Sequence, residues 1–166
     1  MSKVIELWTD GAIHKNGRPE AIGGWACILR FVDIDFASRE VTVLKEKEMS
    51  GSQRAAGTTS NEMELRGVLE GLRAISPNFA GKIAVKVFSD SEYVTKGFSG
   101  RSDKWAHYGW KPRPNVGMLK EIHELANTFG ASFTWIKGHA GMKYNERADE
   151  LAVAAKEEEM KKYYEA

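Results

Sequence analysis

The chain has little of what marks secreted or membrane-bound proteins. It contains one cysteine and four prolines in 166 residues, and no apolar run approaches the roughly 18 residues that a membrane-spanning helix needs. A single cysteine excludes an internal disulfide, and Cys27 stands in an apolar stretch typical of a small core residue. The first residues lead straight into a strand pattern, so we expect no signal peptide, a cytoplasmic location and no membrane partner.

A strong net charge is also missing. The formal charge is +1, although 28% of the residues are charged. Without a global basic field, a nucleic-acid partner would have to be held by local patches. The hydrophobic content of 42% is ordinary for a globular chain of this length. We predict a single domain over residues 1–166, with a core at about 3–155 and a charged helical tail at 156–166, and we expect a monomer without an obligate protein partner.

Hydrophobic periodicity predicts strands first and then alternating helices and strands. Residues 4–11, 25–34 and 39–49 predict three strands joined by short turns, as in an antiparallel meander. Residues 50–57 have the composition of a flexible loop. Beyond them the pattern predicts a helix that begins with a capping box, in which Thr59 is the N-cap and Glu62 its reciprocal partner. It also predicts further helices at 92–98, 116–129 and from about 145, and strands at 83–89 and 132–137. This order indicates an α/β fold.

Four carboxylates fall near the ends of predicted elements. Asp10 and Asp90 close strands, and Glu64 and Asp149 lie in the first turns of helices. Each has an ordinary explanation, because Asp10-Gly11 also fits a hairpin turn and the other acids fit helix N-termini. No single capping scheme explains all four. If they converge, a divalent cation would relieve their repulsion, and an all-oxygen ligand set suits Mg²⁺ or Mn²⁺.

His139 lies in a glycine-flanked loop, ten residues before Asp149. A histidine in such a loop is often exposed or structural. Here it is also a candidate for proton transfer, because an imidazole titrates near neutral pH.

Residues 99–117 interleave basic and aromatic side chains. Lys104, Lys111 and Arg113 stand among Trp105 and Trp110. The pattern favours contact with a nucleic-acid backbone, although ordinary surface charge around two half-buried tryptophans explains it as well.

Several segments, in this order along the chain, resemble the type 1 ribonuclease H family: residues 8–12 (WTDGA), 58–65 (TTSNEMEL), 88–94 (FSDSEYV), 135–141 (WIKGHAG) and 145–152 (NERADELA). The likeness spans roughly residues 3–155. It implies a ribonuclease H-like α/β fold, with a five-stranded mixed sheet in the order 3-2-1-4-5, strands 1–3 antiparallel, and flanking helices. It also implies hydrolysis of the RNA strand of an RNA/DNA hybrid duplex, leaving 5′-phosphate and 3′-hydroxyl ends.

The resemblance also assigns roles to individual residues. The catalytic and metal-binding acids fall on Asp10, Glu64, Asp90 and Asp149, and a catalytic histidine falls on His139. Two Mg²⁺ ions are implied, with Mn²⁺ as a substitute. One ion would activate the attacking water and the other would stabilise the leaving 3′ oxygen.

Substrate contacts follow from the same likeness. Asn16 and Asn61 match positions that read the minor groove, where the 2′-hydroxyl distinguishes RNA from DNA. Arg30, Thr59 and Asn115 match a pocket for a phosphate of the DNA strand, so cleavage should be largely independent of sequence. The other predicted substrate contacts are Gly11, Glu92, Trp105, Trp110 and Asn145.

The chain departs from the family pattern at three places. Ser60 stands where a second asparagine is common, and Glu92 stands where a glutamine is common. The basic segment between Lys104 and Asn115 is several residues shorter than in fuller bacterial members. We therefore expect hybrid binding that depends on salt but is weaker than that of a relative with the longer segment.

Two other functions remain open at this point. A metal-dependent nuclease acting on DNA would need the four acids but not Asn16, Asn61 or Asn115. A non-catalytic hybrid-binding module would not need all four acids. Cleavage assays on hybrid and on duplex DNA separate these alternatives.

Overall fold

Strands and helices alternate along the part of the chain that the structure, a computed structural model, describes: residues 2–138 and 142–165. The strands are β1 (Ser2–His14), β2 (Ile22–Ile34), β3 (Val41–Arg54), β4 (Ala84–Ser89) and β5 (Ser132–Trp135). The helices are α1 (Ser60–Arg73), α2 (Glu92–Lys96), α3 (Ser102–His107), α4 (Val116–Phe129) and α5 (Lys143–Glu165). A 3₁₀ turn, Pro77–Phe79, precedes β4, and a π-helical turn, Gly97–Arg101, joins α2 to α3.

The strands form one mixed sheet in the order β3-β2-β1-β4-β5. The pairs β1–β2 and β2–β3 are antiparallel, and the pairs β1–β4 and β4–β5 are parallel. The predicted α/β fold, its strand order and its antiparallel first three strands are confirmed.

The sheet carries a hydrophobic cluster on each face. Because side chains alternate along β1, Ile5 and Leu7 turn to the face covered by α1 and α4, where Leu65 is fully buried. Trp8 turns to the opposite face and packs against Ala148 of α5. Its ring also stacks on Phe88 of β4, with ring centroids 4.3 Å apart. The core therefore holds β1 at the centre of the sheet from both sides.

Helix α5 lies directly on β2. A Cβ atom at Gly24 would collide with the carbonyl oxygen of Ala152 and would come within 2.7 Å of the backbone nitrogen of Lys156. Only glycine permits this approach of helix and strand. The close contact fixes the height of α5 above the sheet, and with it the position of the side chains at the start of that helix.

Residues 156–165 continue α5 along the sheet. One Glu–Lys pair of the kind expected for a solvated helix end is present, between Glu158 and Lys162 at 3.9 Å. These last turns are not only solvated, because one face of them contacts β1 and β3. The contacts are Ser52 Oγ to Glu159 at 3.3 Å, His14 Nε2 to the Tyr164 hydroxyl at 3.1 Å, and the guanidinium of Arg54 at 4.6 Å from the Tyr163 ring.

Several predicted strand limits are wrong, and the ends of β1 and β3 differ most. Strand β1 runs past Asp10 to His14, because β2 continues to pair with it as far as Ile22. Residues 50–54 belong to β3, where they pair with residues 22–26 of β2. The sequence pattern does not predict this part of β3, because it belongs to an edge strand. Most of its residues are exposed, so apolar and polar residues do not alternate there.

The capping prediction for α1 is half right. The hydroxyl of Thr59 accepts a hydrogen bond from the backbone nitrogen of Glu62 at 3.2 Å, as expected for an N-cap. The Glu62 carboxylate accepts from Gln53 of β3 at 2.6 Å, a bond that the capping-box prediction did not include. Glu64 and Asp149 lie in the second turns of α1 and α5, one turn later than predicted.

Cys27 is a fully buried core residue of β2, as its apolar neighbours predict. Among the described residues, no helix has the length and hydrophobicity needed to span a membrane.

Candidate active site

The parallel pairing of β1 with β4 brings two acids to the same end of the sheet. Trp8 lies opposite Phe88 in this pair. Two residues further along each chain come Asp10 and Asp90. Neighbouring parallel strands end at the same edge of a sheet, and sites in open α/β folds form there. The register therefore explains why these two carboxylates meet.

Gly11 brings the third acid to this edge. A Cβ atom at Gly11 would lie 2.8 Å from the backbone nitrogen of Glu64 and 2.9 Å from the carbonyl carbon of Met63. No other residue type leaves room for α1 at this distance from β1. The backbone N–H of Gly11 also donates to Oδ1 of Asp10 at 2.9 Å and so orients that carboxylate. The structural role of Gly11 is to allow this close contact between β1 and α1. Its predicted contact with substrate stays a prediction.

Three carboxylates form a tight cluster. One oxygen from each of Asp10, Glu64 and Asp90 lies within 4.8 Å of the others. Asp149, on α5, stands beside this cluster, close enough that its carboxyl affects Asp10 through a hydrogen bond and through its charge. The structure thus brings together all four acids that the sequence singled out, from two strands and two helices.

The cluster is electrostatically unfavourable without a counter-charge. Burial raises the pKa of Asp10 from 3.8 to about 8, and the charges of Asp90 and Asp149 add to the effect against the opposing Gly11 hydrogen bond. Burial also raises the pKa of Glu64 well above its usual value, with further contributions from Asp10 and Asp90. Crowded, desolvated carboxylates favour protonation unless a cation compensates them.

The donor set fits a divalent cation. Oε2 of Glu64 is enclosed and has no hydrogen-bond partner among the described residues, so it is free to bind an ion. The ligands are all oxygens, which hard ions such as Mg²⁺ and Mn²⁺ prefer. The cluster therefore has the chemistry of a metal site.

The loop after β5 passes close to Asp90. A Cβ atom at Gly138 would lie 3.0 Å from Oδ2 of Asp90. Trp135 donates from its indole nitrogen to the carbonyl oxygen of Asp90 at 3.1 Å, a contact that sequence reasoning missed. The next residue after Gly138 is His139, which lies outside the described residues. Its catalytic role stays a prediction.

Asn145 lies one turn before Asp149 on α5. It is only 3% exposed, and its Oδ1 has no hydrogen-bond partner among the described residues. A buried, unpaired amide oxygen is costly and is expected to gain a partner when the site fills. Its predicted contact with substrate is consistent with this position but is not tested by it.

Arg30 does not lie in the phosphate pocket where the resemblance put it. Its guanidinium pairs with Glu6 of β1, directly opposite in the strand register, and with Glu46 of β3 at 3.3 Å. It also lies 3.7 Å from the centre of the Tyr144 ring at the start of α5. Arg30 is only 6% exposed and is held by two carboxylates and a ring, so it belongs to the packing of α5 on the sheet.

Five of the predicted substrate contacts share a cavity at the N-terminus of α1. This cavity, of about 400 Å³, is lined by Asn16, Thr59, Asn61, Trp105 and Asn115, among others. Oδ1 of Asn16 accepts from the backbone nitrogen of Ser60 at 3.0 Å, which joins the loop after β1 to α1. We call this space the α1 cavity. Arg113 and Tyr93 are among the lining residues that sequence reasoning did not assign to it.

The basic and aromatic segment packs beside the α1 cavity. The rings of Trp105 and Trp110 lie 6.4 Å apart, and both are half-buried. Glu92 lies elsewhere, on α2, where it pairs with Lys96 at 3.0 Å. The acid therefore faces a cation of its own helix and does not line the α1 cavity.

A mixed sheet of this order, with a carboxylate cluster at the end of its two central strands, defines the class of ribonuclease H-like nucleases. The sequence model of the RNase H family matches residues 2–157. The chain belongs to the RNase H family of ribonucleases, whose members depend on divalent metal ions.

Individual relatives agree with this assignment. The chain is 40% identical over 164 residues to Ribonuclease H of Solibacter usitatus, covering 96% of this chain and 99% of that protein. It is 37% identical to Ribonuclease HI of Neisseria meningitidis, over 92% and 94% of the two chains. Its fold is similar to the crystal structure of LC9-RNase H1, a type 1 RNase H with a type 2 active-site motif, at 27% identity. That match has a TM-score of 0.75 and covers 95% of this chain and 74% of that one.

Proposed function

We propose that Asp10, Glu64, Asp90 and Asp149 are the catalytic carboxylates with which this ribonuclease H hydrolyses the RNA strand of an RNA/DNA hybrid. The products would carry 5′-phosphate and 3′-hydroxyl ends. The observation that carries the proposal is the meeting of three carboxylates within 4.8 Å, with Asp149 beside them. A site built only for packing would not hold such charges together.

We further propose that the cluster holds two Mg²⁺ ions in the presence of substrate, with Mn²⁺ as a substitute. The unpartnered Oε2 of Glu64 and the all-oxygen donor set support this choice. When bound, such ions supply an activated water and a counter-charge for the leaving 3′ oxygen. Calorimetric titration with Mg²⁺ tests the site without relying on activity, and Glu64→Gln should weaken the binding.

The surrounding residues orient the reacting groups. The Gly11 N–H holds Oδ1 of Asp10, and the Trp135 indole holds the Asp90 carbonyl at the end of β4. We propose that Asn145 orients substrate or water with its unpaired Oδ1. His139, which follows the loop beside Asp90, is proposed to transfer a proton during the reaction.

Substrate recognition is proposed to use the α1 cavity. Asn16 and Asn61 would contact the minor groove, where a 2′-hydroxyl is both donor and acceptor. Thr59 and Asn115 would hold a backbone phosphate near the N-terminus of α1, where the helix dipole favours an anion. Trp105 and Trp110, with the neighbouring cations, would support the duplex. Phosphate contacts carry no base identity, so the cleavage should be largely independent of sequence.

A labelled-strand assay tests this function. Hybrid, duplex RNA, duplex DNA and single strands are incubated with and without Mg²⁺, and cleavage of the RNA strand of the hybrid is expected only with metal. Asp10→Asn should abolish cleavage while hybrid binding persists, whereas Glu158→Gln, an exposed acid on the last turns of α5, serves as the matched control. Cleavage by Asp10→Asn would contradict the role of the cluster. Cleavage of duplex DNA would favour a DNA nuclease, and binding without cleavage a non-catalytic module.

We also propose that the chain is one domain that acts as a monomer in the cytoplasm. The buried, unpaired Cys27 thiol supports this location, because thiols stay reduced there. Analytical ultracentrifugation and cell fractionation test the two statements.

A further inference from the structure

The last turn of α5 carries two adjacent tyrosines, Tyr163 and Tyr164, which lie over the ends of β1 and β3. We call them the tyrosine pair, and neither of them lines the α1 cavity. We propose that the tyrosine pair positions the loops that bind substrate, and above all the loop that carries Asn16. The inference rests on the proposed function, because it names positioning residues for the same substrate site.

Each tyrosine contacts a different strand. Consecutive side chains on a helix point about 100° apart, so two neighbours can reach to opposite sides. The Tyr164 hydroxyl lies 3.1 Å from Nε2 of His14, and the two rings meet edge to face with centroids 6.0 Å apart. The Tyr163 ring lies 4.6 Å from the guanidinium carbon of Arg54. The two tyrosine rings also contact each other, at 4.9 Å, so the pair joins β1 to β3.

The contacted residues lie in one row across the sheet. His14 pairs with Ile22 of β2, and Ile22 pairs with Arg54 of β3. His14 and Arg54 are also the last residues of their strands. The tyrosine pair therefore acts at the points where two loops leave the sheet, residues 15–21 after β1 and residues 55–59 after β3.

Helix α5 gives the pair a firm support. Two turns before Tyr163, the helix lies so close to β2 that a Cβ atom at Gly24 would come within 2.7 Å of the backbone nitrogen of Lys156. Between these points, the Ser52 hydroxyl of β3 donates to the Glu159 carboxylate at 3.3 Å. The tyrosine pair thus extends from a helix that is already fixed on the sheet.

Hydrogen bonds join the two loops to each other and to α1. Gly17 donates from its backbone nitrogen to the carbonyl oxygen of Thr58 at 2.8 Å, and Gly57 donates to that of Arg18 at 3.0 Å. The side chain of Asn16 accepts from the backbone nitrogen of the first residue of α1 at 3.0 Å. The loops therefore move as one unit, and the ends of the strands decide where that unit lies.

Tyr163 also contacts this unit directly. It lines a cavity of about 220 Å³ together with Pro19 and Glu20 of the first loop and Ala55 and Ala56 of the second. Removing its ring would enlarge the cavity and leave both loops less supported on this side.

The expected consequence is a loss of affinity for substrate. A loop that is held in its bound conformation loses less conformational entropy when the substrate binds. Without the tyrosine pair, only a fraction of the molecules would have Asn16 in place, and the apparent affinity falls by that fraction. The carboxylates are held by other contacts, the Gly11 N–H and the close approach of α1, so the chemical step should not change.

Steady-state kinetics on hybrid provide the first test. Replacing both tyrosines by alanine should raise KM about threefold to tenfold and leave kcat unchanged. A role in folding alone would lower the fraction of active enzyme, and with it kcat, without raising KM. Phe36→Ala is the matched control, because Phe36 is an exposed aromatic residue (68%) in the turn at the opposite ends of β2 and β3. The control should keep both constants. An unchanged KM in the double variant would overturn the proposal.

Single substitutions separate the two contacts. Tyr163→Phe keeps the ring on which Arg54 stacks and should behave as the wild-type protein does, whereas Tyr163→Ala should raise KM. Tyr164→Phe loses only the hydroxyl beside His14 and should lie between the wild-type protein and Tyr164→Ala. A Tyr163→Phe variant as weak as Tyr163→Ala would contradict the stacking contact on which the proposal depends.

A double-mutant cycle with Asn16→Ala assigns the effect to the loop. The alanine substitutions of the tyrosine pair should raise KM in the wild-type background and add little in the Asn16→Ala background, because the residue that they position is then absent. Equal effects in both backgrounds would show that the pair acts elsewhere, and the proposal would be wrong.

Amide hydrogen exchange tests the support of the loops without substrate. The N–H groups of Gly17 and Gly57 should exchange faster in the double variant, whereas those of α4 should exchange as in the wild-type protein. Unchanged exchange at both glycines would contradict the proposal. Failure of the wild-type protein to cleave hybrid would instead count against the proposed function, and the exchange rates would still decide whether the tyrosine pair holds the loops.

Discussion

Replacing Asp10 by asparagine is expected to stabilise the metal-free protein while destroying its activity. The substitution keeps the shape of the side chain, and Oδ1 of asparagine can still accept from the Gly11 N–H. It removes a charge from a cluster in which burial, Asp90 and Asp149 all raise the pKa of the carboxyl. Without metal this charge opposes folding, so its loss should raise the free energy of unfolding.

The magnitude follows from the pKa of Asp10, which is 3.8 ordinarily and about 8 in the native protein. A raised native pKa means that the contribution of this group to stability is complete below about pH 3.8. It is lost as the pH rises toward 8. Each pH unit in this window costs about 1.36 kcal/mol, so at pH 7 the loss is about 4 kcal/mol at most. Because Glu64 shares the repulsion and can take the proton, we expect a gain of about 2–4 kcal/mol for Asp10→Asn.

The assay is urea unfolding in EDTA at several pH values between 4 and 8. The difference between Asp10→Asn and the wild-type protein should be near zero at pH 4 and should grow to its full value by pH 8. Glu158→Gln should show no such trend, because its carboxyl is exposed. Added Mg²⁺ should stabilise the wild-type protein more than the variant. A difference that does not change with pH, or a variant less stable at pH 8, would refute the electrostatic reasoning.

Three further substitutions test other parts of the structure. Gly11→Ala should lower activity at least tenfold and stability by about 1–3 kcal/mol, because the new Cβ would press on the backbone of Glu64. Arg30→Met should lower stability by about 3 kcal/mol through unpaired Glu6, yet leave the salt slope of hybrid affinity unchanged. Thr59→Ala should cost about 1 kcal/mol through loss of the α1 N-cap, and it should weaken hybrid binding.

Denaturant unfolding, steady-state kinetics and salt titrations provide these measurements. Gly17→Ala is the control for Gly11→Ala. At Gly17 a Cβ atom would have no neighbour within 4 Å, but the backbone has φ 75°. The control therefore separates the effect of crowding from the effect of losing glycine's backbone conformations. An active Gly11→Ala enzyme would show that α1 can move away from β1. A lower salt slope in Arg30→Met would return Arg30 to the substrate site. Thr59→Ser should retain the N-cap, because serine keeps the hydroxyl. If Thr59→Ser and Thr59→Ala lose equal amounts of stability and hybrid affinity, the hydroxyl is not the group responsible.

Local patterns in the sequence identified much of the fold. The helical spacing of Leu65, Val68 and Leu72 predicts a helix, and all three are fully buried in α1. The apolar run before Asp90 predicts a strand, and β4 is that strand, although its side chains alternate between exposed and buried instead of being buried throughout. Such predictions succeed because the period of burial along one element depends on that element alone.

Other features were misjudged because they depend on distant neighbours. Residues 50–54 look like a loop, yet β2 pairs with them as the edge of the sheet. Arg30 matched a substrate position by its place in the chain, yet the register of β1 against β2 sets Glu6 opposite it. Arg113 was noted only as one cation among several, and packing against Trp105 sets it over the α1 cavity.

The sequence by itself determined the order of elements and, through its motifs, which four acids to examine. Only the tertiary structure decided that Asp10 and Asp90 lie side by side. The same holds for Glu64, which lies near them because α1 can approach β1 closely at Gly11. It alone decided that Arg30 is buried against two carboxylates, whereas Arg113 is exposed and lines the α1 cavity. The physical reason is that side-chain period and capping act within a few residues. Register, close approach and ion pairing instead join segments far apart in the chain, and no local pattern records them.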